Sequence, residues 1–422
     1  MSLVETGRRP KRDSSPAEDA AVDFDRWPAM RTPAPAPTRA AIAKVLLRNA
    51  AIRTGIEVVF PDGKRFGRPG GPVLELVRPA QFFARLGRDG KIGFGESYMA
   101  GDWKAQDLAG LLSAMAAQMR TLIPPRLQWI RRFYEPSLPP DEDNDPSGSL
   151  RNIRRHYDLS NELFALFLDP TMTYSSALYD GPDEALENAQ ARKIEKLLDD
   201  ARVGPGAKVL EIGTGWGELA LRAARRGANV TSLTLSVEQA ALARKRIAEE
   251  GLSHCVDVKV EDYRRSAGTY DAVVSVEMIE AVGERWWPTY FATLEARLAP
   301  GGRIGLQTIL MRHDGFAAAR NSWTWIHKYI FPGGMIPSME AIEGVLRTST
   351  KLRILQRHHF GHSYAETLAT WREKFRSEEL AVDRLGFDRT FRRMWDFYLA
   401  YSEAGFRSGY LDVAQIIMAS ST

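Results

Sequence analysis

The sequence predicts an α/β protein: a parallel, Rossmann-like sheet with helices on both faces, preceded by a smaller mixed α/β domain. Three observations carry this. Strand-like and helix-like segments alternate from about Leu150 onward, the order that builds a parallel sheet. At 422 residues, 44% apolar and 26% charged, the chain is long enough for two domains and a large core. Between them, "PPDEDNDPSG" at Pro139–Gly148 continues neither helix nor strand and marks a boundary.

The elements follow in order. Residues 1–39, with "PAPAP" at Pro33–Pro37, read as a flexible arm. Residues 40–138 form the N-terminal accessory domain: "IEVVF" and the turn "PDGK", then "PVLELV" before a helical "AQFFARLG". Its last stretch, Leu108–Tyr134, starts apolar and then interleaves Arg120, Arg126, Arg131 and Arg132 with Trp129 and Tyr134. That mixture suits either a helix on a lipid headgroup layer or a pair of interdomain helices with one solvated face. After the linker, 139–149, residues 150–422 supply the strands "AKVLEIG", "NVTSLTL", "CVDVKVED", "YDAVVSVEM" and "GGRIGLQTI". The helix "SVEQAALARKRIAEEG" is capped by Ser236 and closed by Gly251, and "WWPTYFATLEARLA" is a crossover helix. "KLRILQRHHF" and "VAQIIMAS" predict a final antiparallel pair, and segments near 315–337 and 365–408 a roof over the carboxyl edge of the sheet.

One cysteine, Cys255, excludes a disulfide framework and fits a reducing compartment. The first thirty residues do not resemble a secretory signal, and no apolar run nears the roughly 20 residues of a membrane span. The expectation is a cytoplasmic protein. A pI near 9.0 permits contact with an anionic surface.

The chemistry lies in "LEIGTGWG". The first strand ends on Glu211, and Gly213, Gly215 and Gly217 let the chain bend tightly against a ligand at the carboxyl edge of the sheet. The spacing is not that of a dinucleotide turn. The second strand ends in "LTLSVEQ", without the acidic residue that a nicotinamide dinucleotide needs. E-x-G-x-G-x-G instead marks S-adenosylmethionine-dependent methyltransferases. The crowded histidines His358, His359 and His362 do not form a metal-ligand pattern.

The blocks "IRRHYDLSNELFALFLDPTMTYSSALY", "LEIGTGWG", "LTLSVEQ", "VVSVEMIEAVG", "WIHKYIFPGGMIPS" and "FYLAYSEAGFRSGYLDVAQIIM" occur in sequence order. Together they closely resemble the cyclopropane-fatty-acyl-phospholipid synthase family, which includes the mycolic acid cyclopropane synthases. The N-terminal "GFGESYMAGDW" resembles the extra domain of its larger bacterial members. The resemblance implies a class I methyltransferase sheet with helical cap insertions. It puts S-adenosylmethionine against Tyr174 and Ser175, the turn from Glu211 through Gly213, Gly215, Trp216 and Gly217, then Thr234, Ser236, Gln239, Asp262 and Tyr263. It implies one-carbon transfer to the double bond of an unsaturated phospholipid acyl chain through a carbocation, which π faces stabilise. Tyr174, Trp323, Trp325, Tyr329, Phe331 and Tyr364 are candidates to line an apolar tunnel.

A bound bicarbonate removes the proton in the cyclopropane synthases, held by cysteine, glutamate, histidine and tyrosine. At the matching positions this chain has Ser176, Glu280, Gln307 and Tyr364. Two of the four differ, which puts bicarbonate in doubt: the replacements are still polar enough to hold a small anion or a water, and equally Glu280 is a candidate to act as the base itself with Tyr364 orienting it. "VEMIEAVG" with "LQ" resembles the branch that makes 10-methylene fatty acyl chains, precursors of 10-methyl acids such as tuberculostearic acid. A separate reductase would finish that branch. The alternatives are a cyclopropane product, a lipid-binding module without turnover, or a methyltransferase of small metabolites or nucleic acid. "VEMIEA" lacks the D/N-P-P-Y-type motif of nucleic-acid amino-methylation, so no nucleic-acid partner is expected. The expected setting is the inner face of the membrane, peripherally bound, with a homo-oligomer left open.

Overall fold

The computed structural model describes residues 22–118, 160–320 and 322–421. The N-terminal part builds a four-stranded sheet, order β2-β1-β3-β4, from β1 (Glu57–Val59), β2 (Arg65–Gly67), β3 (Val73–Leu76) and β4 (Trp103–Lys104). β1 pairs antiparallel with β2 across "PDGK" and parallel with β3. Around it lie α1 (Pro37–Thr54), α2 (Pro79–Ala100) and α3 (Leu108–Ala117). α1 opens on a proline at its first turn and stops at Gly55, whose φ of +72° a side chain would resist.

Strands this short cannot close a core by themselves. The accessory part instead shares one with α11, the long C-terminal helix at Arg389–Arg407. Phe94, Tyr98 and Trp103 pack on Phe397. The Arg393 guanidinium lies 4.2 Å over the Tyr98 ring and donates to the Tyr98 and Trp103 carbonyls. Two sequence expectations change as a result. The arm of residues 1–39 is pinned over its later part: Trp27 is buried and donates to Asp388 at 2.7 Å. Buried Arg85, paired with Asp102 at 2.6 Å, also donates to the carbonyls of Met30 and Arg31. The apolar start of Leu108–Tyr134 is not a lipid-facing surface, because Leu108, Leu111 and Leu112 of α3 are buried in this shared core. Its arginine-bearing remainder, and the 139–149 linker, lie outside the described residues.

The larger part is a seven-stranded sheet, order β10-β11-β9-β8-β5-β6-β7. Its strands are β5 (Lys208–Ile212), β6 (Asn229–Thr234), β7 (Val256–Val260), β8 (Tyr270–Val276), β9 (Leu298–Met311), β10 (Leu352–His359) and β11 (Leu411–Ser420). β5 to β9 are parallel; β10 and β11 form the expected antiparallel pair, with β11 inserted between β9 and β10. β5 is apolar on both faces because both are covered. Val209 packs beneath α4 (Leu186–Asp200), α5 (Glu218–Arg225) and α6 (Val237–Glu249). Leu210 packs beneath α7 (Trp287–Arg297) and, past α8 (Trp325–Tyr329), α9 (Met339–Ser349). The segment of α8, then α10 (Gly361–Ser377) and α11, build the expected roof. The order of strands reverses between β5 and β8, which places the open crevice at their carboxyl ends.

Candidate active site

The turn after β5 opens into that crevice. Gly213, Gly215 and Gly217 have φ of +99°, +52° and +92°, all in the left-handed region that side chains avoid. A Cβ on Gly217 would sit 3.0 Å from that of Ala243, so this glycine lets α5 and α6 approach. A Cβ on Gly215 would meet nothing within 4 Å; its backbone faces open space. The cavity there is lined by Tyr174, Ser175, Glu211, Gly213, Gly215, Trp216, Thr234, Gln239, Asp262 and Tyr263. Two of the expected cofactor residues act from behind it. Ser236 caps α6 by accepting from the Gln239 amide at 3.1 Å, and Gly217 forms the N-cap of α5.

The lining is polar at set places. Glu211 is fully buried at the end of β5 and accepts from Ser232 at 2.5 Å; burial pushes its carboxyl up to about 8. Burial opposes ionisation of Asp262, but two side-chain bonds from Arg264, at 2.9 and 2.6 Å, hold it below the ordinary range. The buried Tyr263 hydroxyl has no partner among the described residues, although the ring stands edge-on to Tyr290. An unpaired polar atom beside a polar cavity is a place for a ligand atom. Trp216 donates to Asn161 at 2.7 Å and packs on Phe164, so the turn is tied to the segment leading to Tyr174. These residues fit an adenosyl group: flat rings, hydroxyl and amide partners, a carboxylate, and bare backbone.

Lys193 was missed in the sequence. It is fully buried on the inner face of α4, lines the cavity and donates to Ser175 at 2.6 Å. Burial lowers its ammonium to about 8, against the pull of Glu277, Asp169 and Glu218. The signal was available: Leu186, Gln190, Lys193, Ile194 and Leu197 share the buried face of this helix.

The residues expected to remove the proton are not arranged as the resemblance implies. The carboxylate where the other three groups meet is that of Glu277. It accepts from the Ser176 amide at 2.9 Å, Gln307 Nε2 at 2.9 Å and the Tyr364 hydroxyl at 2.7 Å. The second Gln307 proton goes to the Ser176 carbonyl at 3.3 Å, and the Ser176 hydroxyl donates to the Ala177 carbonyl. With those donors engaged, the set does not fit a separate bicarbonate. Glu277 also lines the cavity and has a φ of +49°, a conformation that costs a non-glycine residue about 1–2 kcal/mol. Burial raises its carboxyl above the ordinary range, while Tyr364, Lys193, Gln307 and the Ser176 amide oppose that rise.

Glu280, one turn further on, points away. Its Oε1 accepts from Thr308 Oγ1 at 2.9 Å and the Ile309 amide at 2.5 Å, tying the turn after β8 to β9. It is not among the cavity-lining residues. Burial, then the charge of Glu277, pushes it up to about 8. Of the proposed tunnel aromatics, Tyr174 and Tyr364 stand at the site, the Tyr174 ring packed on Phe164 and Trp371. Trp325 and Tyr329 instead seat α8 on the accessory part. Trp325 abuts Gly95, and the Tyr329 hydroxyl donates to buried Glu96 at 2.8 Å.

Residues 145–416 match the family model described as mycolic acid cyclopropane synthetase. The chain is 50% identical over 416 residues to the tuberculostearic acid methyltransferase UfaA1 of Mycobacterium tuberculosis, covering 96% of this chain and 97% of the relative. It is 33% identical over 346 residues to the cyclopropane-fatty-acyl-phospholipid synthase of Escherichia coli, covering 81% and 86%. Among solved structures, the mycolic acid cyclopropane synthase CmaA1 complexed with SAH and CTAB superposes with a TM-score of 0.59 at 29% identity. That match covers 64% of this chain and 97% of CmaA1.

Proposed function

The chain belongs to the mycolic acid cyclopropane synthetase family of S-adenosylmethionine-dependent methyltransferases, and on that premise we propose that it converts an oleoyl-type phospholipid chain to its 10-methylene derivative, with Glu277 as the base. S-adenosylmethionine, when bound, supplies an electrophilic methyl group. The residues that would hold it are the Gly213–Gly215 turn, Tyr174, Ser175, Thr234, Gln239, Asp262 and Tyr263.

The alkene is a weak nucleophile, and attack leaves a cation on the acyl chain, so water must be kept out. Phe164, Phe167, Tyr174, Trp371 and Trp395 pack ring against ring; of these Tyr174 lines the cavity and offers it a π face, and the others form an apolar wall behind it. A 1,2-hydride shift then moves the positive charge onto the carbon that bears the new methyl group, and that methyl loses a proton to a Glu277 oxygen, its C–H electron pair forming the methylene double bond. Burial makes this carboxylate a stronger base than an exposed one, while Tyr364, Lys193, Gln307 and the Ser176 amide favour its charged form. Tyr364 does not compete, because burial and Glu277 raise its own hydroxyl well above the ordinary range. It stays a donor and orients the base. Gln307 and the Ser176 amide fix the other oxygen.

The observation that carries this reading is the Glu277 carboxylate held by three donors at the cavity wall. Extensive identity to a tuberculostearic acid methyltransferase supports the methylene product over a ring. Reduction to a methyl branch falls to a separate reductase, and the enzyme works at the inner face of the membrane. Mass spectrometry of lipids from cells expressing this chain alone tests the product. Fragments after ozonolysis should place a methylene at C10; a cyclopropane, of equal mass, would resist ozonolysis and overturn the reading.

A further inference from the structure

α1 is apolar on two opposite sides. Ala43, Leu47, Ala51 and Thr54 are buried against the accessory domain. On the other side, Ile42, Val45, Leu46 and Ile52 are 49%, 61%, 62% and 62% exposed. Single exposed apolar residues are ordinary. Here four of the thirteen large apolar side chains exposed among the described residues fall on one eighteen-residue helix. At 100° per residue they form one stripe. Lys44 and Arg48 border one edge, and Arg39 and Arg53 lie toward the other. α1 carries no acidic residue, and none of these four cations pairs with a carboxylate among the described residues.

We infer that this outward side of α1 is a docking surface for an anionic phospholipid bilayer. The inference rests on the phospholipid reading above and names where that substrate's membrane is met. An apolar stripe flanked by long basic side chains buries its centre at the acyl boundary while the charges reach lipid phosphates. The charges also decide the occupant. A second copy on the same face would set four cations against four, whereas an anionic headgroup layer complements them.

The test uses the full chain and vesicles of oleoyl phosphatidylglycerol in phosphatidylcholine, scored by co-sedimentation, with turnover measured separately on detergent-dispersed oleoyl phosphatidylglycerol. A Val45→Ser/Leu46→Ser/Ile52→Ser variant should bind vesicles about tenfold or more weakly. An Arg48→Glu/Arg53→Glu variant should lose binding at low salt, where the wild type is most salt-sensitive. Both should keep wild-type melting, S-adenosylhomocysteine affinity and turnover in detergent. Wild-type vesicle binding by both variants would overturn the inference, as would a wild type that ignores vesicles. A wild-type dimer that the serine variant converts to monomer, with vesicle binding unchanged, would assign the face to self-association. Loss of turnover in detergent by the wild type itself would instead count against the proposed reaction.

Discussion

Two regions share one crevice and are built in different ways. The floor of the proposed donor cavity is a continuous turn, Glu211 to Gly217, whose three glycines take positive φ by local residue choice. The proposed proton-removing cluster draws on four separate segments: Ser176, Gln307 and Tyr364 reach the carboxylate of Glu277. The first is tolerant at its rim and brittle at its glycines. In the second, no residue is locally unusual apart from the positive φ of Glu277, and every member matters through the others.

That contrast is broken most directly at Glu277. Glu277→Gln keeps the shape and removes the proton acceptor. Turnover should fall about a thousandfold, as expected for a general base, while S-adenosylhomocysteine affinity by calorimetry stays near wild type. Retained turnover would place the base elsewhere. Gly215→Val should do the reverse. A branched side chain at a φ of +52°, aimed into the cavity, should weaken cofactor binding about a hundredfold. Normal affinity would show that the turn does not hold the donor.

Tyr364→Phe sharpens the cluster. Removing the 2.7 Å bond takes away a stabiliser of ionised Glu277, so its pKa rises further. The acidic limb of the kcat profile should move to higher pH, with turnover near neutrality down about tenfold. An unmoved limb would separate Tyr364 from the base. Glu280→Gln should be the mildest, within about threefold in kcat, because Glu280 faces β9. Its effect belongs to stability. A carboxyl with folded pKa about 8 binds more protons folded than unfolded, so it costs stability as pH rises from the ordinary carboxylate range to about 8. The variant should therefore lose less stability than wild type over that window, by on the order of a few kcal/mol, seen as a flatter dependence of Tm on pH. An equal slope would mean that Glu280 is ionised in the fold.

The parallel sheet, its final antiparallel pair, the Ser236 cap and the glycine turn were legible because each depends on neighbours in the chain. Apolar runs covered on two faces, a hydroxyl three residues from the amide it caps, and glycines at positive φ are local physics. Lys193 was legible in principle, as a lysine on the buried side of an amphipathic helix. The choice between Glu277 and Glu280 was not. They stand three residues apart where β8 breaks into a short turn, and which carboxylate enters the crevice depends on the backbone direction at that break. Contacts with Gln307 from β9, Tyr364 from α10 and Ser176 set that direction. The docking of Trp27 and Trp103 onto α11 was hidden for the same reason. The sequence alone determined what sheet forms and where its glycine turn lies. Only the tertiary structure decided which carboxylate lines the crevice and that the accessory domain shares the roof's core, because side chains remote in sequence meet only after the chain has folded.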